Sequence, residues 1–490
     1  MINEIEKYKG KHIHIVGIGS AEGSAIAEFL VMHEIDSITG HDFSSKEDFP
    51  RAFNNTHLSL KPKERKEALD HLLGLPIKIN YKENYLDGIE SADIVFVSQV
   101  WFKYPQNLPI LKDLFDKGIP FKTITNLYFE LAPCKIISIT GTNGKTTTSR
   151  LINSIFEVWA TKNGKSKVYF AGNDRQNIQV LDRLSEMKKE DVLILETSST
   201  QLLLNSGISP HIGVITNITP NHIDDHGSFE NYIEAKKNLI RYQKESDFAV
   251  LNYDDVHSRE FIKSVKSKVF LFSRKEKLEE GCFVSRGQIM AKSNGEETIL
   301  LNLSDIKILG AHNVENVLAA ASAAYLYGID PEIIREGISR YSGLKHRLKL
   351  LYNIKGVRYY DDTQATTPEA TISGLDSFDG DIILLAGGDD KGMQYSDLSE
   401  KICKKVKLLI LFPGNASDKI ESFLDRNKIE LARVINMSEA MDQLKKYYQK
   451  TAPKDGSVVL ISPAAAHFYS KFVENSGKDL KEWIRLVSSI

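Results

Sequence analysis

Short aliphatic and β-branched runs recur along the chain, and most lead into a stretch where apolar positions keep helical spacing. That alternation marks parallel α/β architecture, and it falls into three blocks. In the first, His12–Val16 reads as a buried strand running into Gly17 and Gly19, then into a helix from about Ala21 to His33. Further strands are expected near Ser37–Gly40, Asp93–Val97 and Phe121–Thr125, while the charged stretch Asn54–Leu73 reads as a helix or a mobile insertion. The second block opens on Lys135–Thr140 and continues through strands at Val168–Phe170, Val192–Leu195 and Gly213–Thr216. It closes with a helix over Val314–Tyr327, and residues 262–308 read as a β-rich insertion. The third block, from about His346, carries strands at Arg358–Tyr360, Ile382–Leu385, Leu408–Phe412 and Val458–Ile461. The expected fold is α/β in three domains: 1–133, 134–342 and 343–490.

Composition narrows the function classes. With 490 residues, 42% hydrophobic and 26% charged, the chain can bury several cores. A net charge of -2 gives no global electrostatic case for nucleic acid or an anionic membrane. Cys134, Cys282 and Cys403 form no CxxC pair, which argues against a disulfide framework or zinc site and fits a reducing compartment. The charged N-terminus enters a short strand rather than a signal-peptide apolar region. No apolar run approaches the roughly 18 residues of a membrane span. The expectation is a cytoplasmic monomer with small-molecule partners and neither nucleic acid nor membrane.

The densest chemistry is ISITGTNGKTTTSRL, Ile137–Leu151. A strand runs into a Gly-rich turn, and Lys-Thr-Thr then opens a helix, whose N-terminal N–H groups and positive dipole end suit phosphate oxygens. Gly141, Thr142, Asn143, Gly144, Lys145, Thr146 and Thr147 are the candidate nucleotide contacts, with Lys145 reaching the terminal phosphates and Thr146 offering a hydroxyl to Mg²⁺. The turn is shorter than GxxxxGK[ST], because Ile139 stands where the first glycine would be. In LILETSSTQLL, Glu196 ends a buried strand, where open α/β sheets bind ligands and a carboxylate suits Mg²⁺. His222 and Asp224 in TNITPNHIDDHG follow another strand end, where an imidazole can help hold a second Mg²⁺ or serve in a turn.

GTNGKTTT resembles the phosphate loop of the Mur ligases and the related folylpolyglutamate synthetases, and the likeness extends over nearly the whole chain. It implies a Rossmann-like N-terminal domain for a UDP-linked muramoyl substrate, a central P-loop ATPase, and a Rossmann-like C-terminal domain for the incoming amino acid. It also implies ATP, two Mg²⁺ ions and a carbamylated lysine as cofactors. ExSSxQL is the pattern around the Mg²⁺-binding glutamate in glutamate-adding members, which supports Glu196. TNITxDHxDxH…Y…AK places the carbamylated lysine at Lys236 rather than Lys237, with Asn221 where the family has Asp. Asn173 in FAGN matches the GGN loop, and GAHNVENVLAA matches GxHNxxNxLAA, with Asn313 a nucleotide contact or a helix cap.

In the third block Arg347 of HRLKLL resembles an ATP-phosphate contact, and DDTQATTPEAT resembles the segment NDSKATNPxAT of glutamate-adding members. Asp362 is then expected at the nucleotide ribose or its Mg²⁺, and Thr366 at the acceptor. Lys391 in LLAGGDDKG is expected to pair with an acceptor carboxylate. The acceptor pocket departs from the pattern: Gln364 replaces a lysine, His467 a serine, Val473 a phenylalanine and Ser476 an arginine. At the N-terminus, Gly17, Gly19, Ser20, Asp42 and Ser98 are the candidate contacts for the UDP moiety. The wording there is closer to L-alanine-adding members, and SQV replaces the usual SPG. An NAD site built on Gly17 and Gly19, with Asp42 on the ribose, competes from the residues alone. The resemblance implies ADP-forming amide synthesis through an acyl phosphate, with Lys145, His222 and Lys236 as catalytic residues. A sister ligase with another acceptor, L-glutamate or a pseudomurein-type substrate is the alternative.

Overall fold

The computed structural model describes residues 2–99, 107–173, 179–204, 207–390, 392–452 and 454–486. Three sheets organise it. The first has five parallel strands in the order Lys78–Asn80, Ile38–His41, Ile13–Val16, Ile94–Val97 and Phe121–Lys122. Both Ile13–Val16 and Ile94–Val97 are buried along their whole length, as a strand covered on two faces must be. The expected strand Phe121–Thr125 ends early, at Lys122. Thr123 instead opens the helix Ile124–Leu131 with a capping box, its N–H donating to Asn126 Oδ1 at 2.8 Å. The charged stretch after residue 48 forms two helices, Phe49–Thr56 and Pro62–Gly74.

The nine-stranded sheet runs Glu296–Asn302, Gln288–Ser293, Gly281–Ser285, Lys268–Ser273, Phe248–Asn252, Ile212–Ile215, Lys135–Thr140, Val192–Glu196, Val168–Gly172. The last seven are parallel, and the two at the other edge are antiparallel additions from the β-rich segment. The six-stranded sheet runs Lys349–Ile354, Val357–Asp361, Val458–Ile461, Ile382–Gly387, Val406–Phe412, Glu430–Arg433, parallel except for its first strand.

These sheets belong to two compact units. Met1–Asp305 with Glu315–Arg340 hold the first two sheets, and Ile306–Val314 with Tyr341–Ile490 hold the third. Among the described residues no helix is long and apolar enough to cross a membrane.

Candidate active site

Lys135–Thr140 lies between Val192–Glu196 and Ile212–Ile215, all parallel, so three loops leave one sheet edge together. They are stitched to one another: Thr142 N–H donates to Asn217 O at 2.9 Å, Thr197 N–H to Ile139 O at 2.9 Å, and Thr216 N–H to Thr140 O at 3.0 Å. Asn143 N–H adds a bond to Asn217 Oδ1 at 2.9 Å. The turn requires its glycines. Gly141 has φ +154° and Gly144 φ +84°; a Cβ would lie 1.9 Å from Thr216 Oγ1 at the first and 2.2 Å from Asn316 Oδ1 at the second. Gly144 delivers the chain into the helix Lys145–Asn163, with Thr146 and Thr147 in its first turn. The leading N–H groups of any helix lack partners inside it, so this edge presents donors and a positive dipole end to an anion.

Two lysines meet on one carbonyl. Lys145 Nζ donates to Gly141 O at 2.8 Å and Thr142 O at 3.0 Å. Lys236 Nζ donates to the same Gly141 O at 2.8 Å and to Thr140 Oγ1 at 3.4 Å. Lys236 comes from the inner face of the helix Phe229–Arg241 and is only 1% exposed. Burial, and secondarily the charge on Lys145, hold its amine well below the usual lysine range. Its neighbour Lys237 instead lies toward solvent within 3.9 Å of Glu234. Tyr232, one turn earlier, bonds the phosphate turn through Thr142 Oγ1 at 3.1 Å, and Lys236 Nζ stands 4.6 Å from its ring centre.

Glu196 is 2% exposed at its strand end. Its carbonyl accepts the Asn173 N–H at 2.8 Å, which sets Asn173 beside it. His222 is exposed at φ +51°, with Nδ1 3.0 Å from Asp225 Oδ2 and its ring 6.4 Å from Tyr232. Asp224 is exposed as well. Buried His226 packs edge-on to Tyr232 at 5.3 Å and meets Ser199 Oγ through Nε2 at 3.0 Å; burial lowers its pKa. Among the described residues no three His, Cys, Asp or Glu side chains gather to hold a metal. A buried strand-end carboxylate, Glu196, and the Thr146 hydroxyl in the first turn of its helix are oxygen donors of the kind Mg²⁺ takes, one or two carboxylates with phosphates and water completing the shell.

On the first sheet, Gly17 N–H and Ile18 N–H both donate to His41 O, at 2.8 and 3.1 Å. Ser20 caps the helix Ala21–Met32, accepting from Gly23 N–H at 3.0 Å. Asp42 turns inward: Oδ2 accepts from Gly19 N–H at 3.0 Å and Oδ1 from Ser44 N–H at 3.0 Å. Ser98 is buried against Gly17, where a Cβ would come within 2.2 Å of its hydroxyl.

In the second unit, the loops after Val357–Asp361, Val458–Ile461 and Ile382–Gly387 leave three neighbouring strands. Asp362 is 5% exposed; Oδ1 accepts from Leu348 N–H at 3.1 Å and Oδ2 from Ser462 Oγ at 2.7 Å. Burial pushes its carboxyl up to about 7, against the pull of those bonds and of Arg347. An acid whose folded pKa lies above its unfolded value stabilises the fold fully below that unfolded value, and the contribution is lost as pH rises through the folded one. Asp362→Asn is therefore expected to gain on wild type in thermal stability from about pH 4 to about pH 7, by on the order of 4 kcal/mol, read from denaturation midpoints. Arg347 is exposed between His346 (φ +64°) and Leu348 (φ +42°). Asn313 does not cap its helix; it lies in the first turn and its Nδ2 donates to Leu309 O at 2.6 Å. Thr366 and Gln364 are exposed, as is His467 at φ +60°. Lys391 lies outside the described residues, but Asp390 before it is pinned by Gly392 N–H and Met393 N–H, each at 3.0 Å, and by Lys419.

Residues 139–324 match the Mur ligase middle domain. A UDP-N-acetylmuramoylalanine–D-glutamate ligase of Acetivibrio thermocellus is 36% identical over 433 residues, covering 86% of this chain and 89% of its own. The chain belongs to the Mur ligase family. A second such ligase, from Symbiobacterium thermophilum, is 33% identical over 97% of this chain and 98% of its own. The fold likeness reaches MurF of Acinetobacter baumannii, with TM-score 0.59 at 14% identity, covering 100% of this chain and 99% of that one. Two further side chains pack about the glycine turn, Tyr232 on Thr142 Oγ1 and His226 on the Tyr232 ring. Both stand in the family's DHxDxH…Y…AK pattern as it appears here, so the signal was present without a role attached.

Proposed function

We propose that the protein is a cytoplasmic ATP-dependent ligase joining the carboxylate of a UDP-linked N-acetylmuramoyl-L-alanine precursor to D-glutamate, with release of ADP and phosphate. The observation that carries this reading is the meeting of Lys145 and buried Lys236 on the Gly141 carbonyl, in a chain whose relatives over most of its length are D-glutamate ligases. Residues 1–133 would bind the UDP-linked precursor, 134–342 ATP, and 343–490 the amino acid.

In this reading Lys145 leaves the Gly141 and Thr142 carbonyls for the terminal phosphate oxygens, where it neutralises charge that builds as the phosphoryl group moves. A carboxylate oxygen of the precursor attacks the γ-phosphorus and ADP leaves, giving an acyl phosphate. The acceptor amine then attacks the acyl carbon, phosphate departs, and the nitrogen loses its proton. Two bound magnesium ions would add charge neutralisation, held by Thr146, Glu196, His222 and a carbamate on Lys236. Carbamylation needs a neutral amine, and burial, with the Lys145 charge beside it, lowers the Lys236 pKa and so favours that form. Asn173, Asn313, Arg347 and Asp362 would orient the nucleotide; Gly17, Gly19, Ser20, Asp42 and Ser98 the UDP moiety; Thr366, Lys391 and His467 the acceptor.

The replacements Gln364, His467 and Val473 favour a second reading, a sister ligase with another acceptor or a pseudomurein-type substrate. ADP release measured across D- and L-amino acids with UDP-N-acetylmuramoyl-L-alanine separates them. Turnover confined to D-glutamate is expected; turnover only with another amino acid would transfer the assignment, and none with any would remove it.

A further inference from the structure

Glu22 is a buried acid for which the reaction above has no use. It sits in the first turn of the helix Ala21–Met32, directly behind the N-terminal glycine turn. Its Oε1 accepts from Gln99 Nε2 at 2.5 Å and from Gln201 Nε2 at 2.6 Å, and its Oε2 from Gln99 N–H at 3.3 Å. Gln99 follows Ser98 at the end of the strand Ile94–Val97. Gln201 lies in the helix Ser199–Leu203, just beyond Glu196, and its Oε1 accepts from Ser198 N–H at 2.9 Å. That bond fixes the amide so that its NH₂ faces Glu22. One carboxylate thus joins the glycine-turn helix, the segment holding Ser98 and the turn that follows Glu196, all within one compact unit. Burial alone raises the Glu22 carboxyl, and the amide donors oppose it.

An apolar contact would hold these elements together without fixing their separation. Bonds to a carboxylate are short and directional, and a buried one must be fully bonded to be tolerated. We propose that Glu22 is a positioning residue that sets the distance between the glycine turn and the phosphoryl-transfer centre, so that a precursor anchored at the first presents its carboxylate at the second. The inference rests on the ligase reading, because only a substrate spanning both places feels that distance. A misplacement of about 1 Å costs on the order of a hundredfold in such reactions.

The test uses the full chain with UDP-N-acetylmuramoyl-L-alanine, ATP and D-glutamate. Glu22→Ala is expected to raise KM for the precursor about tenfold or more and to release more ADP per amide formed, leaving KM for ATP within about twofold. The exchanged pair Glu22→Gln with Gln201→Glu keeps one carboxylate facing one amide and is expected to recover most of the loss, whereas each single exchange is not. Should Glu22→Ala fail to fold, the single and paired exchanges carry the comparison. Equal rises in both KM values, no recovery in the pair, or an unchanged precursor KM would overturn the proposal while wild-type turnover leaves the ligase reading standing. A wild type inactive with every acceptor overturns both.

Discussion

Lys145→Ala is expected to lower ADP release by about a thousandfold, the scale of removing one preorganised group that neutralises charge in the transition state. The argument starts from where the ammonium is held. With Nζ 2.8 Å from Gly141 O and 3.0 Å from Thr142 O, it is folded onto the turn it belongs to. A half-buried side chain at the first position of a long helix carries little of the core, so the variant is expected to fold, and a melting curve checks that. The same substitution removes a positive charge acting on Lys236. The Lys236 amine should therefore titrate at higher pH in the variant, while burial, the larger cause, still keeps it below an exposed lysine. ADP production near the wild-type rate would contradict the role given to Lys145.

How much of this was legible in the sequence depended on how local each determinant is. The phosphate turn could be read outright, because strand, glycines and Lys-Thr-Thr are contiguous and Gly141 and Gly144 tolerate no side chain. The family pattern singles out Lys236 over Lys237; in the structure Lys236 is buried on Gly141 O, while Lys237 is partly exposed within 3.9 Å of Glu234. Two short strands were harder. Lys78–Asn80 has only one buried residue and no apolar run to announce it, and Phe121–Lys122 is cut short by the Thr123 cap. Side-chain direction was illegible where long-range partners decide it. Asp42 bonds Gly19 across 23 positions, and Gln201 bonds Glu22 across 179. No window of sequence contains both partners of such a pair.

Lys236→Ala is expected to cut turnover by about a hundredfold or more, with partial recovery on adding formate, acetate or propionate. A lysine 1% exposed, beside another cation and without an acidic partner among its contacts, is poorly placed to remain an ammonium. As a neutral amine it can add to CO₂, forming a carbamate with loss of one proton, and the group then carries the negative charge that Lys145 and magnesium would attract. A short carboxylic acid fills the space left by alanine and returns that charge, which is why it should rescue. The pH dependence has a definite sign. A base whose folded pKa is depressed binds fewer protons folded than unfolded, so its cost to stability falls as pH rises from the folded value toward the usual lysine value near 10.5. That part of the rise in stability with pH should vanish in Lys236→Ala. Wild-type activity should fall in CO₂-depleted buffer and return with bicarbonate, while the variant ignores bicarbonate and answers only to the acids. Full activity of wild type without CO₂, together with a variant indifferent to acetate, would leave Lys236 a buried amine with no carbamate.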